Sequence, residues 1–302
     1  MRARRLAPGD LVALVAPAGP VPERLLEAAV PILESWGLRV RLGACVRSRH
    51  PSLGYLAASD ADRAAEFQAA WSDPEVAAVF AARGGYGAQR MLDLVDWPAL
   101  RAAGPKLLAG SSDITALHQA VSVHLGLATL FSPMPATAHF DAEAVERLRC
   151  VLFEPERSLA LHRPGATALV PGAARGVLVG GNLSLLAAGI GAPEHRAPEA
   201  DAIAVLEDVT EDVYRLDRML TQLLRTGWFD RVTGIALGSW AECGDPAKVR
   251  ALMVDRLAPL GVPIAWELGF GHVPRSPTIP LGVPAELDAD AGTLILTEPA
   301  LS

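Results

Sequence analysis

From Leu11 to Phe153 one pattern recurs along the chain: a short apolar run, a turn, then apolar residues at helical spacing. Leu11 to Ala16 leads through Ala16-Pro17-Ala18-Gly19-Pro20 into a helical stretch from Pro22 to Trp36, which Gly37 stops. Arg39 to Leu42 reads as a second strand, Ser59 as the cap of a helix reaching about Trp71, and Val76 to Ala81 as a third strand. After Arg83-Gly84-Gly85-Tyr86-Gly87 a short helix follows near Gln89 to Leu94. Lys106 to Ala109 is the next strand, with a helix reaching His124, then a strand at Leu127 to Phe131 and a helix from about Asp141 to Phe153. This alternation predicts an α/β fold, a parallel sheet covered by helices, with ligands at the carboxyl ends of its strands.

With 302 residues the chain exceeds the usual single-domain size. Glu154 to Gly176 is richer in Pro, Gly and Arg and lacks helical periodicity, so it reads as a linker with the first strands of a second domain, and the expected division is a domain at 1–155, a linker at 156–175 and a second, smaller α/β domain at 176–302. In that second part Val177 to Val179, Ala202 to Leu206, Gly234 to Gly238 and Val262 to Trp266 read as strands. Helices are expected at Leu183 to Ala188, Asp212 to Leu224 and Pro246 to Leu257, and Ala285 to Leu287 with Thr293 to Leu296 as a closing hairpin.

Charge and cysteine usage narrow the function. Thirty-four acidic against 27 basic residues give a formal charge of -7, which argues against a nucleic-acid or anionic-membrane partner. No segment approaches the ~20 uninterrupted apolar residues of a membrane span. Met1 to Arg5 followed by Leu11 to Ala16 imitates a secretory leader, but Pro8-Gly9-Asp10 interrupts it and the run is short, so Leu11 to Ala16 is read as a buried strand. The three cysteines, Cys45, Cys150 and Cys243, are far apart and form no C-x-x-C pair, which suits a reducing cytoplasm and indicates neither zinc nor disulfides. No H-E-x-x-H or comparable spacing appears, so neither a metal nor another cofactor is expected.

The candidate chemistry starts at Leu107 to His118, which reads as strand, tight turn and helix around Gly110-Ser111-Ser112-Asp113. A serine on such a turn is exposed beside backbone N–H groups. Position 114 is Ile114 rather than the glycine of G-x-S-x-G, and from this stretch alone a helix cap by Ser112 or Asp113 is the simpler reading. Glu207, at the end of an apolar strand, is either functional or half of an ion pair with Arg215 or Arg218. His272 sits in a Gly- and Pro-rich turn and titrates near neutrality, so a catalytic and a bland role weigh equally. His118 and His124 read as packing or surface residues, and His50, His139, His162 and His195 as loop residues without companions. The glycine loop lacks a P-loop lysine and reads as a turn, or, if Ser112 is a nucleophile, as a source of oxyanion-binding N–H groups.

Taken in order, these motifs resemble those of the LD-carboxypeptidases, a serine peptidase family that includes murein tetrapeptide carboxypeptidases and microcin C immunity peptidases. The resemblance rests on Pro8-Gly9-Asp10, Arg83 to Gly87, Gly110 to Thr115, Gly180-Gly181-Asn182-Leu183, Leu206-Glu207-Asp208, Tyr214-Arg215-Leu216-Asp217-Arg218, and Gly271-His272 with Pro280-Leu281-Gly282. It implies a flavodoxin-like N-terminal domain, a homodimer, and a catalytic triad of Ser112, Glu207 and His272. The N–H groups of Asp113 and Gly85 would form the oxyanion hole. The implied substrate is a small peptide, a murein tetrapeptide losing its terminal D-alanine during wall recycling. Ser111 and Ser132 depart from the family's usual aromatic and glycine residues near the expected cleft and bear on substrate preference. One alternative is a peptidyl-nucleotide antibiotic hydrolase of the microcin C kind, with Trp228 and Trp240 as base-stacking candidates. Another is a non-catalytic two-domain protein that closes around a small ligand. In the hydrolase readings the nucleophile lies in one domain and its partners in the other, so domain orientation is expected to control activity.

Overall fold

The computed structural model describes residues 1–302 and contains two sheets. The first carries five parallel strands, β1 (Leu11–Val15), β2 (Arg39–Leu42), β3 (Val76–Ala81), β4 (Leu107–Gly110) and β5 (Thr129–Phe131), in spatial order 2-1-3-4-5. β1, β4 and β5 are buried at every position, as strands covered on both faces require. The crossover helices place apolar side chains on the sheet: Glu23–Ser35 buries Leu26, Ala29 and Leu33, and Asp60–Ser72 buries Phe67 and Trp71. Ser59 caps the second of these by accepting the Asp62 N–H. A further helix, Trp97–Ala103, capped by Asp96, lies between β3 and β4, where the sequence reading had none.

The second sheet holds β6 (Ala160–His162), β7 (Thr167–Val170), β8 (Ala173–Asn182), β9 (Ala202–Val209), β10 (Val232–Ala241), β11 (Ile264–Trp266), β13 (Pro284–Asp288) and β14 (Thr293–Leu296), in the order 6-14-13-8-9-10-11-7. Its centre, β8 to β11, is parallel, and its edges are antiparallel. Two α/β units are therefore present, the second mixed in strand direction.

Residues 156–175 hold the first strands of the second unit as well as linker: β6 and β7 pair with β14 and β11, at opposite edges of the second sheet. And β12 (Ile279–Leu281) leaves the second unit and pairs antiparallel with β5, as the sixth strand of the first sheet. The chain after Glu207 thus returns to the sheet that carries Ser112, and His272 stands seven residues before that seam. Hydrogen bonds between β12 and β5 tie the two units to each other beside this turn. No helix is long and apolar enough to cross a membrane.

Candidate active site

β4 ends at Gly110, and the chain turns sharply before a helix at Thr115–Leu125. Ser112 lies on that turn with φ of 60°, a left-handed conformation that non-glycine residues seldom adopt. Such strain, held at the end of a central strand, is the signature of a turn that presents its side chain. The simpler cap reading is not realised, because neither the short 3-10 segment Ser112–Ile114 nor the helix after it has a side-chain cap. Asp113 instead accepts the Ala88 N–H at 2.7 Å and anchors the glycine loop. Burial pushes its carboxyl up to about 6, against the pull of that N–H. The loop lies against the serine: a Cβ on Gly84 would stand 3.0 Å from Ser112 Cβ, so only glycine lets the two backbones approach. Gly85 follows directly, with φ of 109°.

Glu207 is completely buried on β9. Its Oε2 accepts the His272 Nδ1–H at 2.7 Å, and its Oε1 accepts from Asn182 Nδ2 at 3.1 Å. The expected ion pair with Arg215 or Arg218 does not form. Arg215 faces Glu211 and Asp212, while Arg218 and Arg215 lie near the Tyr214 ring. A bulge in β10 sets Gly238 and Ser239 opposite this one carboxylate, since Leu237 pairs with Leu206 and Trp240 with Asp208.

Burial of the His272 imidazole works against its protonation, but the Glu207 carboxylate, with Asp208 behind it, outweighs burial and holds the ring above the usual histidine value. With Nδ1 committed to Glu207, Nε2 is the nitrogen left for a serine. Ser112 Oγ and His272 share no hydrogen bond in this structure; such bonds commonly tighten only with substrate in place. Gly271, with φ of 107°, is required here, because a Cβ would fall 2.3 Å from Glu207 Oε2.

Three residues near this pair, two of them within the motifs above, were given no role by the sequence reading. Asn182 donates to both Glu207 and, at 3.0 Å, Asp208, and its own N–H donates to Thr115 Oγ1 at 3.0 Å. Burial and the adjacent Glu207 push the Asp208 carboxyl up to about 7. His139 is not companionless: its ring meets His272 edge to face, 6.3 Å between centroids. Burial first, and His272 second, hold its pKa below the usual value. The same loop is clamped by Asp141, which accepts the Arg275 N–H at 2.6 Å. Nothing local in the sequence marks these contacts.

His118 and His124 are held in structural contacts. His118 is buried, bonded through Nε2 to the Gly110 carbonyl at 2.9 Å, and pushed down to about 4 by burial. His124 pairs with Glu194 at 3.0 Å and stacks on Trp97. Trp228 packs in the core against Phe229, and Trp240 is nine-tenths buried. No three His, Cys, Asp or Glu side chains converge as a metal would require.

Comparison with known proteins bears on this geometry. Residues 12–132 match the LD-carboxypeptidase N-terminal domain and residues 175–287 its C-terminal domain. A putative carboxypeptidase of Streptomyces coelicolor is 55% identical over 303 residues, covering 100% of this chain and 97% of the relative. The murein tetrapeptide carboxypeptidase of Pseudomonas aeruginosa is 33% identical, covering 92% of this chain and 93% of the relative. Among solved structures, the muramoyltetrapeptide carboxypeptidase of Oxalobacter formigenes superposes with a TM-score of 0.79 at 28% identity, over 95% of this chain and 97% of that one. The protein MccF in complex with glutamyl sulfamoyl guanosine superposes with a TM-score of 0.87 at 22% identity, over 100% and 99%. Matched in both halves, and more than half identical to a full-length relative, the chain belongs to the LD-carboxypeptidase family of serine hydrolases.

Proposed function

We propose that this serine hydrolase is an LD-carboxypeptidase that removes the terminal D-alanine of a murein tetrapeptide. Ser112 is its nucleophile, His272 its general base and acid, and Glu207 the orienting carboxylate. The single observation that carries the reading is the 2.7 Å bond from His272 Nδ1 to the buried Glu207. It fixes the tautomer, leaves Nε2 to take the Ser112 proton, and stabilises the imidazolium that results.

Oγ then attacks the amide carbonyl, and the oxyanion forms toward the N–H groups of Asp113 and Gly85. Collapse breaks the C–N bond while Nε2 returns its proton to the leaving D-alanine amine. Water, activated by the same imidazole, hydrolyses the acyl-enzyme. The murein substrate is supported by the names of relatives at one-third identity, such as the Pseudomonas enzyme. Wall-peptide recycling in the cytoplasm and a homodimer belong to the same reading. The 2-1-3-4-5 order of parallel strands supports a flavodoxin-like description of the first unit.

A second reading, hydrolysis of a peptidyl-nucleotide, has its own support. Tyr55 and Tyr86 form an edge-to-face pair, 5.7 Å between centroids, beside Gly85, and both are half exposed. Exposed aromatic faces of this kind stack on bases. They replace the largely buried Trp228 and Trp240 as candidates. MccF is also the nearer of the two solved structures in overall shape, a likeness of fold.

The test is to incubate the protein with a murein tetrapeptide and, separately, with a peptidyl sulfamoyl nucleoside, running Ser112→Ala in parallel and following mass. Loss of one D-alanine with wild type alone supports the first reading, and cleavage of the nucleoside conjugate alone the second. Equal turnover by wild type and Ser112→Ala excludes Ser112 as the nucleophile.

A further inference from the structure

A cavity of about 440 Å³ adjoins the His272–Glu207 pair without including either residue. Val273, next to His272, lines it, as do Gly238 and Ser239 of the bulge that faces Glu207. Its wall carries an unusual set of groups. Trp240 Nε1 is buried with no hydrogen-bond partner, on a residue more than nine-tenths buried, whereas the equally unpartnered Ser239 Oγ lies beside Gly271 and Glu207. Native interiors seldom leave such donors unpaired, and each asks for a partner. Arg163, half-buried on the same wall, takes part in none of the chain's ion pairs. Glu242 and Glu267 stand exposed at the rim, with φ of 57° and 58°. A left-handed backbone at two glutamates lining one cavity is strain that a simple surface loop would not need.

We propose that this cavity binds a free α-amino acid. The ligand's carboxylate would take donors from Arg163 and Trp240 Nε1, its ammonium would face Glu242 and Glu267, and an apolar side chain would lie against Trp266 and Val249. A cation and two carboxylates lining one cavity favour a zwitterion over a plain anion or cation, because either single charge leaves part of the lining unpaired. The position matters as well, since occupancy would press on the bulge and on the turn that hold the Glu207–His272 pair. The binding claim does not depend on which peptide the enzyme cleaves.

Titration calorimetry on the intact protein tests it, with D-alanine, L-alanine and glycine as probes, and acetate and methylammonium as single-charge controls. At least one amino acid should bind more tightly than either control. Arg163→Gln should weaken that binding by about tenfold or more, the loss of a charge-assisted bond, and Trp240→Phe should weaken it too. Arg163→Gln should keep the wild-type melting temperature, which shows that the loss of binding is not a loss of fold. The proposal is overturned if no amino acid binds, or if acetate binds as well as the amino acids do. It is equally overturned if Arg163→Gln and Trp240→Phe, both folded, bind like wild type, which would place the amino acid in the catalytic cleft instead.

Discussion

Thr115 Oγ1 accepts the Asn182 backbone N–H at 3.0 Å, joining the helix that follows the nucleophile turn to the end of β8 in the other sheet. The Asn182 side chain then carries the link on to Glu207 and Asp208. One polar relay thus runs from the Ser112 turn to the carboxylate that orients His272. Asn182→Ala removes the amide donor from two buried carboxyls, a loss of about 1.5–3 kcal/mol for hydrogen bonds to charged groups. Its melting temperature and kcat should both fall. Thr115→Val, which removes a single neutral acceptor, should cost about 1 kcal/mol. Thermal melts and steady-state kinetics of the two variants check this, and an Asn182→Ala protein with wild-type kcat would show that the relay has no part in turnover.

The pH profile should carry the mark of His272. The base must be neutral to take the serine proton, and its pKa is raised, so kcat/KM should rise with pH along an acid limb above the ordinary histidine value. Glu207→Gln removes the carboxylate that raises it. The limb should then move to lower pH while kcat drops, a pair of changes read from one set of profiles. An unmoved limb would assign the titration to another group.

Strain at Ser112 should be visible in stability. At φ of 60° glycine is at ease where serine is not, so Ser112→Gly should raise stability by about 1 kcal/mol. Activity should fall by a thousandfold or more, since ~10⁶ is typical when a triad serine is removed. Calorimetric melting of the two proteins decides it, and a lower melting temperature for Ser112→Gly would argue that the turn is relaxed.

Asp208 should make stability pH-dependent in a stated direction. Its carboxyl is raised to about 7 in the folded protein from an ordinary value of 3.8. Between those two values the folded state holds the extra proton, so this contribution to stability is full at acid pH and is lost as pH rises toward 7. Asp208→Asn cannot titrate and should flatten that part of the curve, although it weakens the bonds from Asn182, Ser184 and Val209. Melting temperatures of both proteins between pH 4 and 8 test the sign.

Much of this protein is legible in its residues. Short apolar runs ending in glycine turns suffice to mark parallel strands, because a strand covered on both faces must be apolar at every position, as β1 and β4 are. The ordered motifs single out Ser112, Glu207 and His272 by identity, and Glu207 and His272 meet at 2.7 Å across 65 residues of sequence. What depends on pairing between distant segments was not legible. The three residues of β12, with Pro280 at their centre, are too few to show a period, and their place beside β5 is set by where the first sheet still has an open edge. β6 and β7 lie in a stretch without periodicity, where strands are expected but their limits and partners are set only by the edges that the second sheet offers. His139 gained its companion the same way, when two loops were clamped through Asp141 and Arg275. The chain by itself therefore determined the candidate residues for chemistry and the buried central strands of both sheets. Tertiary structure alone decided that His272 is braced by the nucleophile's own sheet, because hydrogen bonds between strands depend on proximity in space and leave no pattern in the sequence between them.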